Sequence, residues 1–94
     1  MSLLIKNILQ NLKNIKKAQV ISSNLDELKQ AGTYEGNLFT NIPSGAGNGY
    51  GLLVVIARTD VNLCQIYLDR ATNTIFYRFL NSGNWQAWKK VTAV

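Results

Sequence analysis

Apolar residues in the N-terminal segment recur at alternating steps of four and three: Met1, Ile5, Ile8, Leu12 and Ile15. That spacing predicts a helix over residues 3–18. With Ile5 at position a it sets Ile8 at d, Leu12 at a and Ile15 at d of a coiled-coil seam. Lys6, Lys13 and Lys17 then fall on outer b and f positions, and Leu4 and Leu9 widen the stripe at g and e. Ser2 is placed to cap the helix, and Lys16 and Lys17 suit its C-terminal dipole. So short a repeat also suits an amphipathic helix packed on its own domain. Lysines opposite an Ile/Leu face suit a helix lying on a membrane surface as well.

A second, shorter helix is predicted within residues 22–32. Asn24-Leu25-Asp26-Glu27 has capping-box spacing, Leu28 continues the turn, and Gly32 offers a left-handed stop. Capping also accounts for both acids there without a catalytic role. From Thr33 onward the pattern changes to strand and turn. Residues 33–35 form a short strand candidate, 44–51 a glycine-dense loop, and 52–58 a nearly continuous apolar strand buried on both faces. Residues 63–68, 74–80 and 85–91 continue the series, rich in β-branched or aromatic side chains and separated by 69–73 and Asn81-Ser82-Gly83-Asn84. One or two helices ahead of an antiparallel meander make an α+β domain.

The last hairpin can be taken to register. A turn at Ser82-Gly83 pairs Leu80 with Trp85, Arg78 with Ala87 and Tyr77 with Trp88. One face then holds Ile75, Tyr77, Phe79 and Trp88, and the other Phe76, Arg78, Leu80 and Trp85. Both are too apolar for a hairpin with a solvent side. One must pack on the core, and the other on a helix, a neighbouring subunit or a ligand. Trp88 is assigned to the core. Arg78 and Trp85, diagonal neighbours, are placed to stack as cation and ring. Beside the amide-rich turn, Trp85, Arg78, Asn81 and Asn84 form a candidate ligand corner. Packing of Trp85 against another subunit is the competing explanation.

Composition narrows the chemistry. At 94 residues the chain is one domain, and 47% hydrophobic with 16% charged residues fits a folded protein. There is no histidine, and Cys64 is the only cysteine. The usual general base, nucleophile pairs and thiolate metal cages are therefore missing. Cys64, between Leu63 and Gln65, reads as a buried thiol, and Asp60 and Asp69 as turn-stabilising carboxylates. The net charge of +5 is uneven: Lys6, Lys13, Lys16 and Lys17 supply +4, while the other six cations face five acids. A terminal excess of this kind is a weak case for polyanions, since a nucleic-acid binder carries a basic stripe on its folded surface. The longest apolar run is too short for a membrane span, and Lys6, Asn7 and Gln10 interrupt a signal-peptide core. The glycine run 44–51 lacks the spacing, the context and the Gly-Lys-Ser/Thr of phosphate loops, and reads as a flexible surface loop. No enzyme activity, cofactor or metal is expected.

Six short motifs occur in order: Leu28 to Gly32-Thr33-Tyr34, Asn41-Ile42-Pro43, Gly51-Leu52-Leu53-Val54-Val55, Gln65-Ile66-Tyr67, Phe76-Tyr77-Arg78 and Trp85-Gln86-Ala87-Trp88-Lys89. Over about residues 24–92 the chain resembles the pyocin-knob domain of bacteriophage tail fibres and phage-tail-like bacteriocins. The resemblance implies a small β-rich knob on a trimeric fibre, with no enzymatic activity and no catalytic residue to carry over. The expected organisation is a coiled-coil trimerisation helix over residues 1–20, with Ile5, Ile8, Leu12 and Ile15 at the trimer interface, followed by a pyocin-knob-like β-rich domain over residues 21–94. The expected function is a virion structural protein, made in the host cytoplasm and placed on the virion surface. As a homotrimer with other virion proteins as partners, it would contribute to attachment to host cell-surface polysaccharide, with no nucleic acid and no membrane insertion. The carbohydrate site expected for that role is Trp85, Arg78, Asn81 and Asn84, because aromatic rings stack on sugar C–H faces while amides bond to hydroxyls. Its rivals are a purely structural fibre or capsid-surface protein, and a small cytoplasmic protein whose lysine-bearing helix meets membrane or nucleic acid.

Overall fold

The three longest strand signals become the centre of one sheet. In the computed structural model, which describes Leu3, Leu4, Lys6, Ile8 and residues 19–91, the strands are β1 (Gln19–Ile21), β2 (Gly32–Gly36), β3 (Leu52–Ala57), β4 (Leu63–Asp69), β5 (Thr74–Asn81), β6 (Asn84–Trp85) and β7 (Lys89–Lys90). Their order is β1-β2-β3-β4-β5, with β6 and β7 sharing the far edge of β5. β1 runs parallel to β2, with Gln19 opposite Tyr34, and every other pairing is antiparallel. Side chains alternate across the sheet. Leu53, Val55, Leu63, Tyr67, Phe76 and Leu80 therefore share one core with Tyr34, and Val54, Cys64 and Ile66 form a second cluster on the reverse face. The doubly buried character expected of 52–58 holds for Leu53, Val54 and Val55.

The first face is closed by turns and loops. Leu25 and Phe39 are buried in its core, and Leu28, Ile42, Ala46, Trp85 and Trp88 pack against them. Here the second predicted helix is corrected. Residues 22–32 contain only the 3-10 turn Leu25–Glu27, and Gly32 opens β2 instead of stopping a helix. Asn24 does cap the turn, but its side chain accepts from the Asp26 amide at 2.8 Å, and Glu27 N donates to the Asn24 carbonyl at 3.0 Å. The turn cannot lengthen because Leu25 is fully buried and its carbonyl also accepts from Gln65 on β4.

The α+β architecture with an N-terminal coiled-coil helix is overturned more completely. The chain forms a mixed seven-stranded sheet, and among the described residues 19–91 the only helical element is the 3-10 turn. β1 begins inside the segment expected to be helical. Ile5, Leu12 and Ile15 of the seam lie outside the described residues. Leu4 and Ile8 have helical backbone and pack on the reverse face of the sheet, against the Val54, Cys64 and Ile66 cluster. The physical reason is that the sheet presents an apolar surface to Leu4 and Ile8 within the same chain. Short helices are marginal in water without such a partner. Among the described residues no helix is long and apolar enough to cross a membrane.

The glycine-dense loop is also tighter than expected. Gly49 and Gly51 are buried, Phe39 N donates to the Gly49 carbonyl at 2.9 Å, and the Tyr67 hydroxyl donates to the Asn48 carbonyl at 2.9 Å. Asp69, buried at the end of β4, accepts from Gly47 N at 2.9 Å and from Thr72 N at 3.2 Å, which ties the loop to the β4–β5 turn. A Cβ on Gly49 would stand 2.3 Å from the backbone nitrogen of Phe39. Overpacking against backbone is not relieved by a rotamer change, so Gly49→Ala should cost about 1–3 kcal/mol, read as a lower urea midpoint.

Candidate functional site

The most unusual interior position is Arg78, in the middle of β5. Its register partner on β4 is Gln65, and Arg78 is 6% exposed and Gln65 0%. A buried guanidinium needs both charge compensation and hydrogen-bond acceptors. Arg78 Nε donates to Gln65 Oε1 at 2.9 Å, and Nη2 pairs with Asp26 Oδ1 at 2.8 Å. Gln65 in turn donates through Nε2 to the carbonyls of Leu25 at 2.6 Å and Leu28 at 2.9 Å. Asn41 joins from the loop, with Nδ2 2.9 Å from Asn24 Oδ1 and 3.2 Å from Asp26 Oδ2. Burial draws the Arg78 pKa below its ordinary value, and the hydrogen bond and charge of Asp26 oppose that shift.

Two indole rings complete the cage. The Arg78 guanidinium carbon lies 3.7 Å from the centroid of Trp85 and 4.4 Å from that of Trp88. Stacking with Trp85 follows the expectation from the hairpin register, because Leu80 and Trp85 are indeed partners. The position of Trp88 does not. Tyr77 pairs with Lys89 and Phe76 with Lys90, so Arg78 and Phe79 face three residues, Gln86, Ala87 and Trp88, in place of two. That extra residue is a bulge, and it carries Trp88 to the opposite face of the hairpin. Trp88 therefore packs half-buried against the core, with Phe76, Arg78 and Leu80 and not, as expected, with Ile75, Tyr77 and Phe79. Its ring meets Tyr67 edge-on at 6.5 Å.

The bulge and the strand alternation divide the four sequence-predicted site residues. Arg78 and Trp85 come together, but Arg78 is enclosed by internal partners and Trp85 is half-buried. Asn81 and Asn84 form the last pair before the turn and are exposed, one step along each strand from Leu80 and Trp85 and so on the other side of the ribbon. The turn has the positive φ pair of a tight hairpin, 50° at Ser82 and 83° at Gly83. It docks on the β3–β4 connection, where Ser82 N donates to Asn62 Oδ1 and Gly83 N to the Val61 carbonyl, each at 3.0 Å.

Spacing alone missed the two residues that organise the corner, Gln65 and Asp26. A glutamine between Cys64 and Ile66 in an apolar strand was the available signal, since a polar residue at a core position requires partners. Cys64 is buried, and burial pushes its thiol up to about 11. Among the described residues no group of three or more His, Cys, Asp and Glu side chains is arranged to hold a metal ion.

No family model and no curated protein matches the chain. Solved structures do. The N-truncated R2-type pyocin tail fibre superposes on 84% of the chain with a TM-score of 0.69 at 22% identity. The C-terminal region of the P. aeruginosa R1 pyocin fibre covers the same share with a TM-score of 0.69 at 19% identity. The chain spans 34% and 22% of the lengths of these two fibre chains. At the level of fold, this agrees with the pyocin-knob resemblance carried by the six motifs.

The cage predicts its own weak point. Gln65→Leu keeps the side-chain volume but strands the Arg78 Nε and removes a donor from two turn carbonyls. The variant should lose roughly 2–4 kcal/mol in chemical denaturation, with the Leu25–Glu27 turn showing the largest gain in amide hydrogen exchange.

Proposed function

We propose that the chain is a knob domain of a phage-type fibre, a virion structural protein that assembles as a homotrimer and contributes to attachment to bacterial surface polysaccharide. The observation that carries this reading is the fold shared with pyocin tail fibres over 84% of the chain. Trp85 supports the attachment role: it is half-buried on the rigid cage of Arg78 and keeps some of its ring accessible beside the hairpin turn. Amphipathic aromatic surface of this kind suits a partner that is apolar on one side and hydroxylated on the other.

Assembly would rest on the knob. Ile75, Phe79 and Val91 are 44%, 37% and 46% exposed on or beside the reverse face of β5, next to the cluster that Leu4 and Ile8 pack against. Exposed apolar area of that extent favours association. A purely structural fibre role is the second reading, favoured by the engagement of Arg78 with Gln65 and Asp26 inside the fold.

Two measurements test these statements. Sedimentation equilibrium should give a trimer at micromolar concentration, and Phe79→Asp should convert it to a folded monomer; a wild-type monomer would defeat the assembly claim. Trp85→Ala should remain folded and trimeric by circular dichroism and sedimentation, yet adsorb at least severalfold more weakly to host cells or purified wall polysaccharide. Unchanged adsorption would leave the structural reading in place.

A further inference from the structure

A second groove lies on the Trp88 side of the corner, away from Trp85. It has a volume of about 370 Å³ and is lined by Ser44, Gly45, Phe76, Ala87, Trp88 and Lys90, within the size range of small-ligand sites. Its two aromatic walls are fixed by structure already described. Trp88 is held between Arg78 and Tyr67, and Phe76 is buried in β5. Lys90 is the register partner of Phe76 on β7, which turns its side chain to the same face as the two rings. The rim opposite is a tight turn in which Ala46 N donates to the Pro43 carbonyl at 3.0 Å, with φ of 93° at Gly45. This is the positive third-residue angle of a type II turn. A Cβ on Gly45 would meet nothing within 4 Å, so the backbone there is open to an approaching group.

The chemistry of the lining is selective. It combines an aromatic face, a hydroxyl and backbone at the rim, and one ammonium, with no acid among the lining residues. Among the described residues Lys90 belongs to neither of the two ion pairs, Arg70–Glu35 and Arg78–Asp26. We infer that this groove binds an acidic sugar unit, a uronic acid, with its ring against Trp88, its carboxylate at Lys90 and a hydroxyl at Ser44. The inference rests on the polysaccharide reading above and specifies the charge of the saccharide and a site distinct from Trp85. Because the two aromatic walls are held by the core, only the Lys90 and Ser44 side chains need ordering on binding.

The probe is a polygalacturonate oligomer, with its methyl ester as the uncharged control, titrated calorimetrically into the intact protein at low salt. The acid should bind at least fivefold more tightly than the ester. Lys90→Gln should erase that difference, while Lys29→Gln, at an exposed lysine outside the groove, should preserve it. Ala87→Gln, which fills the exposed wall without changing charge, should weaken both ligands and avoids the unfolding risk of replacing Trp88. Equal binding of acid and ester, equal effects of the two lysine variants, or no binding of either ligand would overturn the inference. Binding of neutral wall polysaccharide that depends on Trp85 and not on Lys90 would also overturn it while leaving the attachment role standing.

Discussion

A single buried guanidinium sets the terms for one whole face of this protein. Arg78 occupies a position that strand alternation assigns to the core, and removing a cation from water costs several kcal/mol unless partners replace the solvent. Each partner is drawn from a different stretch of chain: Gln65 from β4, Asp26 from the turn after β1, and two tryptophans from the strand remnants after the hairpin. Satisfying the charge therefore also fixes where the turn Leu25–Glu27 sits and which way the 85–88 segment crosses the sheet. Gln65 extends the constraint by accepting from Arg78 while donating to the Leu25 and Leu28 carbonyls. Its amide is thereby oriented uniquely, and the sheet and its covering turn cannot slide independently.

The bulge after β6 is the second consequence of the same constraint. A regular hairpin would carry Trp88 to the face of Tyr77, leaving Arg78 stacked on one ring and open on the other side. One extra residue among Gln86, Ala87 and Trp88 returns the indole to the cation. The ladder is interrupted there, and partly mended where Gln86 N donates to the Phe79 carbonyl at 2.9 Å. Bulges of this kind concentrate at sheet edges, where pairing on the far side does not have to be preserved.

These features mark the boundary of what the sequence discloses. The strands at 52–58, 63–68 and 74–80 were legible because β-branched and aromatic residues fill them and turn residues bound them. The Leu80–Trp85 register was legible because Ser82-Gly83 dictates a tight turn. The N-terminal seam was misleading because an apolar stripe records only that a helix has an apolar partner. For Leu4 and Ile8 that partner is the sheet of the same chain. The helix expected at 22–32 had a valid cap at Asn24, but tertiary demand on the Leu25 and Leu28 carbonyls overrode local propensity. Of the candidate site, the Arg78–Trp85 stack was visible in the register. The one-residue slip that brings Trp88 to Arg78 has no signature in Gln86 or Ala87.

The cage also limits what recognition at this corner can use. A ligand that sought Arg78 directly would compete with Asp26 and Gln65 at 2.8 and 2.9 Å and would have to lift both indoles from the guanidinium. Breaking a buried pair without replacing it costs several kcal/mol, comparable with the whole stability of many small domains. The arginine is thus a scaffold for the rings, and its charge is withdrawn from the surface. Any ligand that met this corner would be left with what the cage keeps outside: ring edges and faces, the hairpin amides, rim backbone and peripheral lysines. Substitutions among such groups leave the buried partners of Arg78 untouched. A fold organised in this way separates the residues that keep it folded from those that only clothe its surface.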